Sequence, residues 1–362
     1  MPDAELQLDP SIVERTPTGR DLHQRLLVAN LHDDWSIEVQ KLFLKGERGA
    51  LDRTYAARMH DGNVDFSFYT VGGDDEMFTQ DPDFLRGTLR ATDGALQEIN
   101  RSNHFVLARN GTDIRRAKAE GRIALMFTIE GAAPIGEDLP ILRLLHRLGL
   151  RSVILTWFKA NPSADGVGEK RNGGLSTFGR DLVAEMNRLG MLIDVSQSAP
   201  ATVDDAFAFS RHPVIASHSN CAGLYPHRRN LTDQHLRDLA HNGGVIGLTS
   251  YPAHVQDGRP ELKDFMDQVD YAVRLAGIDH VAIGLNIVVH TPEEAEAFYR
   301  RSNIEFSQFH LPGLEDIDRL PNVTAALLER GYGEVEIAKI MGGNVLRVID
   351  QVMGCDQGLR SG

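Results

Sequence analysis

Residues 123–130 read IALMFTIE, a nearly unbroken apolar run that ends on a carboxylate. A strand needs such a run when both of its faces are buried, because a strand with one wet face alternates apolar and polar residues. The run MLIDV at residues 191–195 has the same character. These two stretches indicate a parallel sheet that is covered on both faces.

Runs of this kind recur along the chain with amphipathic segments between them, an alternation typical of βαβ units. Eight runs are present, which is the strand number of a closed (β/α)8 barrel, or TIM barrel, in the α/β class. The predicted strands are Leu26–His32, Val64–Thr70, Ile123–Glu130, Val153–Trp157, Met191–Ser196, Pro213–His218, Gly244–Thr249 and His280–Asn286.

We expect one domain over residues 1–362, with residues 1–25 as an N-terminal extension, because no internal repeat, low-complexity tract or linker divides the sequence. Ser176 is a suitable N-cap for a helix that Gly190 ends. A glycine turn at residues 342–343 is expected to join two further helices. Three long loops are expected to overhang the carboxyl ends of the strands: Asn161–Gly174, Pro252–Asp264 and Ile287–Leu320.

The composition disfavours several classes of partner and site. With 38 basic and 51 acidic residues the net charge is −13, which disfavours nucleic acids and anionic membranes because both attract positive surfaces. Cys221 and Cys355 are too few for a disulfide framework, so plain thiols are expected. The first residues do not read as a signal peptide, and no apolar run has the length of a bilayer span. We therefore expect a cytoplasmic protein.

Side chains that can bind a cation fall at the ends of predicted strands. His32 and Asp34 close the first strand, Glu130 closes the third, and His218 closes the sixth. Barrel enzymes carry their reactive groups on this rim, and the period-two alternation of a strand sends His32 and Asp34 to the same side. Each residue alone has an ordinary explanation, such as a hydrogen-bonded core histidine or a solvated carboxylate. Their joint placement favours a metal site.

Six segments together form a specific pattern: NLHDDW (30–35), TIEGA (128–132), GLSTFGRDLVAEMNRLGMLIDVS (174–196), ASHSNCAGLYPHRRNLTD (216–233), HVAIG (280–284) and LPNVTAALLERGYGEVEIAKIMGGNVLRV (320–348). With them the chain resembles the membrane (renal) dipeptidases, binuclear zinc barrels of the amidohydrolase type. The resemblance implies a (β/α)8 fold, frequent dimerisation, and hydrolysis of dipeptides by a metal-activated water. It also implies that His32, Asp34 and Glu130 hold a first metal ion, and that Glu130, His218 and another histidine hold a second.

Three positions depart from the family pattern. Gln197 stands where the family has the second metal's other histidine, and an amide oxygen is a poor zinc ligand. Asn286 replaces a carboxylate that acts as a base or binds the substrate's amino group, and Trp157 replaces a histidine that polarises the scissile carbonyl. We therefore expect one divalent metal ion, zinc in the first place with iron or manganese as alternatives, and a second metal that is weak or absent.

Other residues of the family site remain. Arg229 matches the arginine that receives the substrate carboxylate, for which a guanidinium fork is suited; the alternative is a surface arginine paired with Asp233. Glu130 and Asp34 are the candidate catalytic residues. Asn286, Trp157 and Gln197 join Arg229 as candidate substrate-binding residues, whereas no role is assigned to the loop histidines at positions 290 and 310.

Three functions are compatible with this pattern. The first is a metal-dependent hydrolase, a homodimer acting on a dipeptide-like or other small carboxylate-bearing amide. The second keeps the metal and changes the reaction, as in a lyase, decarboxylase, isomerase or oxygen-using enzyme. The third is a non-catalytic barrel, because the fold alone does not decide function.

Overall fold

A computed structural model describes residues 19–287 and 310–354 of the chain. Its strands, numbered in chain order, pair in parallel and form one sheet. They are β1 (Ala29–Asn30), β2 (Phe66–Gly73), β3 (Phe105–Leu107), β4 (Ile123–Glu130), β5 (Leu150–Ile154), β6 (Leu192–Asp194), β7 (Val214–Ser219), β8 (Val245–Leu248) and β9 (Val281–Ile283).

The sheet closes on itself. Its strand order is β1-β2-β4-β5-β6-β7-β8-β9, with β3 paired to β4 beside this path. The amide of Leu31, just after β1, donates to the carbonyl of Ile283 in β9 at 3.0 Å, and the amide of Asn286 donates to the carbonyl of His32 at 2.9 Å. The path of eight strands is therefore a nearly closed α/β barrel, which confirms the predicted TIM-barrel class.

Each predicted run overlaps one strand of the barrel path, and β4 has the predicted bounds. The fourth run differs most, since β5 begins at Leu150 and ends at Ile154, before Trp157. Strand β3 was not predicted. It has three residues, too short for an apolar run to stand out, and it pairs with the first half of β4.

Helices cover the outside of the barrel, as the amphipathic segments predicted. They are α1 (Gly19–Arg25), α2 (Trp35–Leu44), α3 (Ala57–Asp61), α4 (Glu76–Thr79), α5 (Phe84–Arg101), α6 (Gly111–Ala119), α7 (Leu139–Leu148), α8 (Thr177–Leu189), α9 (Pro200–Phe209), α10 (Asp233–Asn242), α11 (Pro252–Val255), α12 (Leu262–Ala276), α13 (Leu320–Glu329), α14 (Glu334–Ala338) and α15 (Asn344–Met353). Five-residue π-helical turns span Asp52–Ala56 and Lys339–Gly343.

The local helix signals are confirmed. Ser176 caps α8 by accepting from the amide of Gly179, and Gly190 ends the helix in the left-handed conformation. The join between α14 and α15 contains the predicted glycines, within a π-helical turn that kinks at Gly342. A Cβ at Gly342 would lie 2.4 Å from the carbonyl oxygen of Leu27, so the close approach requires glycine.

Alternate residues of β4 belong to two different apolar clusters, as a strand buried on both faces requires. Ala124 and Met126 share a cluster with residues of β1, β2, β6, β7, β8 and β9, which is the barrel interior. Helix α15 contributes apolar side chains to the same cluster and so closes the amino-terminal end of the barrel. Glu130 has the parity of Ala124 and Met126, and therefore faces the interior at the opposite, carboxyl end.

The first two long loops lie where they were predicted, although α11 and the first residues of α12 occupy parts of the second. Of the third loop the structure describes residue 287 and residues 310–320; the histidine at position 290 and the cysteine at position 355 lie outside the described residues. Cys221 is a buried free thiol. No helix in the described part of the chain combines the length and apolarity that a bilayer-crossing segment requires.

Candidate metal centre

The residues predicted as metal ligands lie together at the carboxyl end of the barrel. One ligand atom from each of His32, Glu130 and His218 falls within a group spanning 4.8 Å, and all three residues are buried. His32 Nε2 lies 3.4 Å from Glu130 Oε2 and 3.6 Å from Asp34 Oδ1. The four predicted side chains therefore face one common volume.

Hydrogen bonds between the first and last strands hold the His32 segment in place. Asn30 accepts from the amide of Leu285 at 2.9 Å through its side-chain oxygen, and its amide group donates to the carbonyl of His32 and to Asp33. Asp33 in turn accepts from the amide of Ile287 at 2.7 Å. Asp33 is buried, which raises the pKa of its carboxyl group well above the ordinary value. The sequence showed no sign that it joins the two strands.

Three buried atoms of this cluster lack a hydrogen-bond partner among the described residues: His32 Nε2, Asp34 Oδ1 and Glu130 Oε2. Leaving buried polar atoms unpaired costs about 1–3 kcal/mol each, and more when the groups are charged. One imidazole nitrogen and two carboxylate oxygens form a donor set that zinc accepts, and a dication would satisfy all three atoms together. The residues present therefore fit a divalent metal ion.

The charges of the cluster depend on one another. Burial lowers the pKa of His32, but the facing carboxylates of Glu130 and Asp34 outweigh burial and raise it above the ordinary value. Burial raises the pKa of Glu130, an effect that the charge of His32 opposes. Two carboxylates that share so small a volume favour a positive charge between them.

Gln197 occupies the other side of Glu130. Its side-chain amide donates to Glu130 Oε1 and lies 2.9 Å from His218 Nε2. Because an NH2 group only donates, His218 Nε2 acts as the acceptor, and Nδ1 carries the hydrogen that it donates to Ser217 Oγ at 2.9 Å. The two oxygens of Glu130 thus have different surroundings: Oε2 faces the unpaired atoms, and Oε1 is bound by an amide.

His218 is neutral and tightly packed. Burial, together with the nearby charges of His32 and Arg229, lowers the pKa of His218 well below the ordinary value. Its ring stacks on that of His32 with 3.8 Å between the centroids. Gln197, whose amide binds this ring, stands where the resemblance implies a second metal ligand. Its backbone adopts the left-handed conformation, with φ at 66°.

Arg229 is 4% exposed, which rules out the alternative of a surface ion pair with Asp233. Asp233 instead accepts from the hydroxyl of Tyr271 at 3.0 Å. Arg229 donates through Nη2 to the carbonyl of His218 at 3.3 Å, and its Nη1 has no partner among the described residues. Burial lowers the pKa of Arg229 to about 10, so the guanidinium stays charged at neutral pH with a free donor beside the cluster.

Trp157 forms part of an aromatic wall. Its ring lies edge-on to Phe78, 5.5 Å between centroids, and packs on Phe158 at 5.9 Å. Asp74, after β2, accepts from the amide of Trp157 at 3.1 Å and from the side chain of Asn161 at 2.8 Å. Burial raises the pKa of Asp74 to about 6. The sequence prediction missed Asp74 because it ended the second strand at Thr70, three residues before the end of β2.

Asn286 lies beside the cluster through its backbone, whose amide donates to the carbonyl of His32 at 2.9 Å. The residue is half-buried and left-handed, with φ at 57°. An asparagine tolerates this conformation and brings no charge. Position 286 therefore adds a neutral amide near His32, where the resemblance implies a carboxylate.

A family model described as membrane dipeptidase (peptidase family M19) matches residues 18–296 and 303–361. The dipeptidase aclJ of Aspergillus oryzae is 33% identical over 309 residues, which cover 82% of this chain and 69% of that protein. The dipeptidases tcpJ of Claviceps purpurea and verJ of Clonostachys rogersoniana are each 34% identical, over 74% of this chain. These matches span 60% and 66% of the two relatives, so the chain corresponds to about two thirds of their length.

Solved structures share the fold. An amidohydrolase from Pseudomonas aeruginosa superposes with a TM-score of 0.78 at 24% identity, over 93% of this chain and 99% of that one. A metallo peptidase from Rhodobacter sphaeroides, liganded with a phosphinate mimic of the dipeptide L-Ala-D-Ala, gives 0.77 at 22% identity, over 90% and 99%. At this identity the likeness shows the common barrel.

Proposed function

Because the chain belongs to the membrane dipeptidase family, peptidase family M19, we propose that it hydrolyses the amide bond of a dipeptide or a similar small amide that carries a carboxylate. Membership makes it a metal-dependent hydrolase of peptide or amide bonds. Beyond family membership we propose the substrate class and the number of metal ions. We propose one ion, held by His32, Asp34 and Glu130.

The observation that carries the proposal is the convergence of three unpaired buried atoms, His32 Nε2, Asp34 Oδ1 and Glu130 Oε2. These residues would hold the metal ion, with zinc as the first candidate and iron or manganese as alternatives. The second ion that the resemblance implies would have to displace the amide of Gln197 from Glu130 Oε1. This contact supports a weak or absent second ion.

When bound, a divalent ion supplies a Lewis acid and makes water a nucleophile at neutral pH. Asp34 points Oδ1 at His32, which leaves Oδ2 to take the proton of the attacking water and return it to the departing nitrogen. Glu130 is held in position by the amide of Gln197 on Oε1. We therefore assign proton transfer to Asp34. The hydrogen bond from Gln197 orients Glu130 as a metal ligand.

The substrate would be oriented by the residues around the cluster. The free Nη1 of Arg229 suits a carboxylate, for which the charged guanidinium provides strong hydrogen bonds. Trp157 offers a flat apolar wall that excludes water from one side of the site. Asn286 adds an uncharged amide beside His32, so the site favours substrates whose amino group is acylated or otherwise uncharged.

The test is to purify the protein without added metal, measure its metal content by elemental analysis, and assay amine release from dipeptides and N-acyl amino acids. Glu130→Gln should lose both metal and activity. Glu120→Gln makes the same change at an exposed position between α6 and the amino end of β4 and should keep both. Bound metal without amine release from any substrate would contradict a hydrolase.

A second candidate is a metal-dependent enzyme that does not hydrolyse its substrate, such as a lyase, decarboxylase, isomerase or oxygen-using enzyme. The amide of Gln197 on Glu130 and the aromatic ring at position 157 favour it, because both reduce the polarity of the site relative to the family pattern. Iron in the purified protein, together with substrate consumption that releases no amine, would support this candidate over the first.

A further inference from the structure

Asp194, the last residue of β6, is a buried carboxyl group to which the proposed reaction gives no task. It has the parity of Leu192, which belongs to the apolar cluster of the barrel interior, so its side chain points inward. A buried carboxylate is costly unless its neighbours donate hydrogen bonds to it. The groups that surround Asp194 must therefore supply such donors.

The donors to Asp194 come from Ser196 and Ser217, just after β6 and within β7. Asp194 Oδ1 accepts from the amide of Ser196 at 2.9 Å and from the amide of Ser217 at 3.1 Å. The hydroxyl groups of both serines also hydrogen-bond to this carboxyl group. Burial raises the pKa of Asp194, and these hydrogen bonds oppose the rise. Because a carboxylate only accepts, the hydroxyl of Ser217 gives its hydrogen to Asp194.

Ser217 fixes the position of the ring hydrogen of His218. Its Oγ lies 2.9 Å from His218 Nδ1. Since the hydroxyl hydrogen is directed at Asp194, Oγ accepts from the imidazole, and Nδ1 carries the ring hydrogen. The lone pair then lies on Nε2, which is 2.9 Å from the side-chain amide nitrogen of Gln197. The amide donates to that lone pair.

The orientation of the Gln197 amide in turn fixes Glu130. The same NH2 group that donates to His218 Nε2 also donates to Glu130 Oε1. If the ring hydrogen were on Nε2, the amide would have to turn its oxygen to this side. That oxygen would face the carboxylate of Glu130, and two oxygen atoms that carry negative charge repel each other. The hydrogen bond that orients Glu130 therefore requires the Nδ1–H form of His218.

We propose that Asp194 and Ser217 are positioning residues that hold His218 in the Nδ1–H form and thereby, through Gln197, aim Glu130 at the metal ion. The proposal rests on the proposed function, in which Glu130 is a metal ligand. An amide has a donor and an acceptor of nearly equal size, so shape alone does not orient Gln197. The chain of hydrogen bonds from Asp194 supplies this orientation.

The tautomer of His218 can be measured in the metal-free protein by NMR after labelling of the histidines with 15N. We expect the His218 signals to show a hydrogen on Nδ1 and a lone pair on Nε2. His218→Gln identifies these signals by removing them. A hydrogen on Nε2 of His218 in the unchanged protein would overturn the proposal without any further variant.

Asp194→Asn should reverse the chain of hydrogen bonds while keeping its shape. The oxygen of the asparagine stays on the amides of Ser196 and Ser217, so its NH2 group donates to the hydroxyl of Ser217. That hydroxyl then donates to His218 Nδ1, and the ring hydrogen moves to Nε2. Zinc affinity, measured by competition with a chelator, should fall by about 10- to 100-fold, as is typical when residues behind the ligands are changed. An Nδ1–H signal or an unchanged zinc affinity in this variant would overturn the proposal.

Ser217→Ala and Ser217→Thr separate the hydroxyl from packing. The alanine removes the acceptor of the Nδ1 hydrogen and should produce an Nε2–H signal with weaker zinc binding, whereas the threonine keeps the hydroxyl and should retain both properties. Ser219→Ala is the matched control, because Ser219 flanks His218 on the same strand, is equally buried, and its hydroxyl has no partner among the described residues. Equal effects of the two alanine variants would overturn the role of Ser217.

The failures of the two proposals are distinguishable. If His218 has the expected tautomer and Asp194→Asn reverses it with weaker zinc binding, but no amide is hydrolysed, the positioning residues are correct and the proposed function is wrong. If amides are hydrolysed and Asp194→Asn binds zinc as tightly as the unchanged protein, the proposed function stands and the positioning role is wrong.

Discussion

The two carboxylate oxygens of Glu130 have different surroundings. Oε2 is unpaired and faces His32 and Asp34, whereas Oε1 accepts from the amide of Gln197. An imidazole at position 197 would present a lone pair instead of an NH2 group, which would leave His218 Nε2 free to act as a ligand. We therefore propose that the side chain at position 197 decides whether this barrel holds one ion or two.

Gln197→His combined with Asn286→Asp should raise the metal content from about one toward two ions per chain. The added imidazole and carboxylate supply the ligand and the charge that the second position lacks. Elemental analysis of the purified variants measures the change. Gln197→Asn with Asn286→Asp keeps an amide at position 197 and should stay at about one ion, while an unchanged ratio in the histidine variant would contradict the assignment of these positions.

Arg229→Met should raise KM by about 10- to 100-fold with a smaller effect on kcat, because a hydrogen bond to a charged group contributes about 1.5–3 kcal/mol. Steady-state kinetics on one hydrolysed substrate gives both constants. Arg228→Met is the matched control, since its neighbouring guanidinium is exposed and lies over the ring of Phe158. Equal effects of the two variants would show that Arg229 does not bind the carboxylate.

The residues at strand ends could be predicted because their positions follow from strand alternation alone. His32, Asp34, Glu130 and His218 were identified in this way and lie together in the structure. Asp74 could not be found, since its contacts with Trp157 and Asn161 depend on the path of the loop after β5. Loop geometry of this kind leaves no periodic trace in a sequence.

At the level of elements, helix α1 is attached to the barrel by a buried histidine. His23 Nδ1 lies 2.6 Å from the hydroxyl of Thr324 in α13, and Nε2 lies 2.9 Å from the carbonyl of Gly62, after α3. A carbonyl only accepts, so Nε2 carries the hydrogen and Nδ1 accepts from the hydroxyl. Burial lowers the pKa of His23 below its ordinary value of 6.5, and the native ring is neutral.

The unfolding free energy should therefore fall as the pH decreases below 6.5, the ordinary pKa that the unfolded chain retains. In that window the unfolded state binds a proton that the native state does not, which costs up to about 1.4 kcal/mol per pH unit until the native pKa is passed. His23→Gln should reduce this slope in urea titrations followed by circular dichroism at several pH values. The exposed His241→Gln should not, and identical slopes for His23→Gln and the unchanged protein would contradict the assignment.

The sequence predicted the presence of each barrel strand better than its first and last residues. Long apolar runs such as Ile123–Glu130 leave little choice, whereas β1 has two residues although the apolar run around it is longer. The rest of that run has no regular strand pairing, and Asn30 and Asp33 use their side chains to bind the segment after the last strand. Side-chain pairing across the barrel closure is a tertiary feature that local pattern does not contain.

For the whole molecule, removal of the metal should lower the melting temperature, since the ion binds the native state and not the unfolded one. At a free concentration one hundred times Kd the stabilisation is about 2.7 kcal/mol. Thermal unfolding with chelator, and again after zinc is added back, measures it. Asp34→Asn should abolish the difference in melting temperature, and Asp61→Asn at an exposed position should preserve it. An unchanged melting temperature after addition of chelator would show that a bound ion does not stabilise the protein.

A homodimer is the assembly that we predict from the family resemblance. Light scattering of the purified protein should then give twice the 40.0 kDa of one chain. A mass equal to that of one chain across a tenfold range of protein concentration would contradict the predicted homodimer.

The closure of the barrel joins positions made at very different times on the ribosome. Asp33 binds the amide of Ile287, and the two residues are 254 positions apart. The histidine and carboxylate that begin the cation site are thus synthesised early, yet the neighbours that orient them emerge only when the ninth strand has been translated. A nascent chain stalled before residue 281 cannot order this site, so we expect loading with metal to follow the last turn of the barrel, late in biosynthesis.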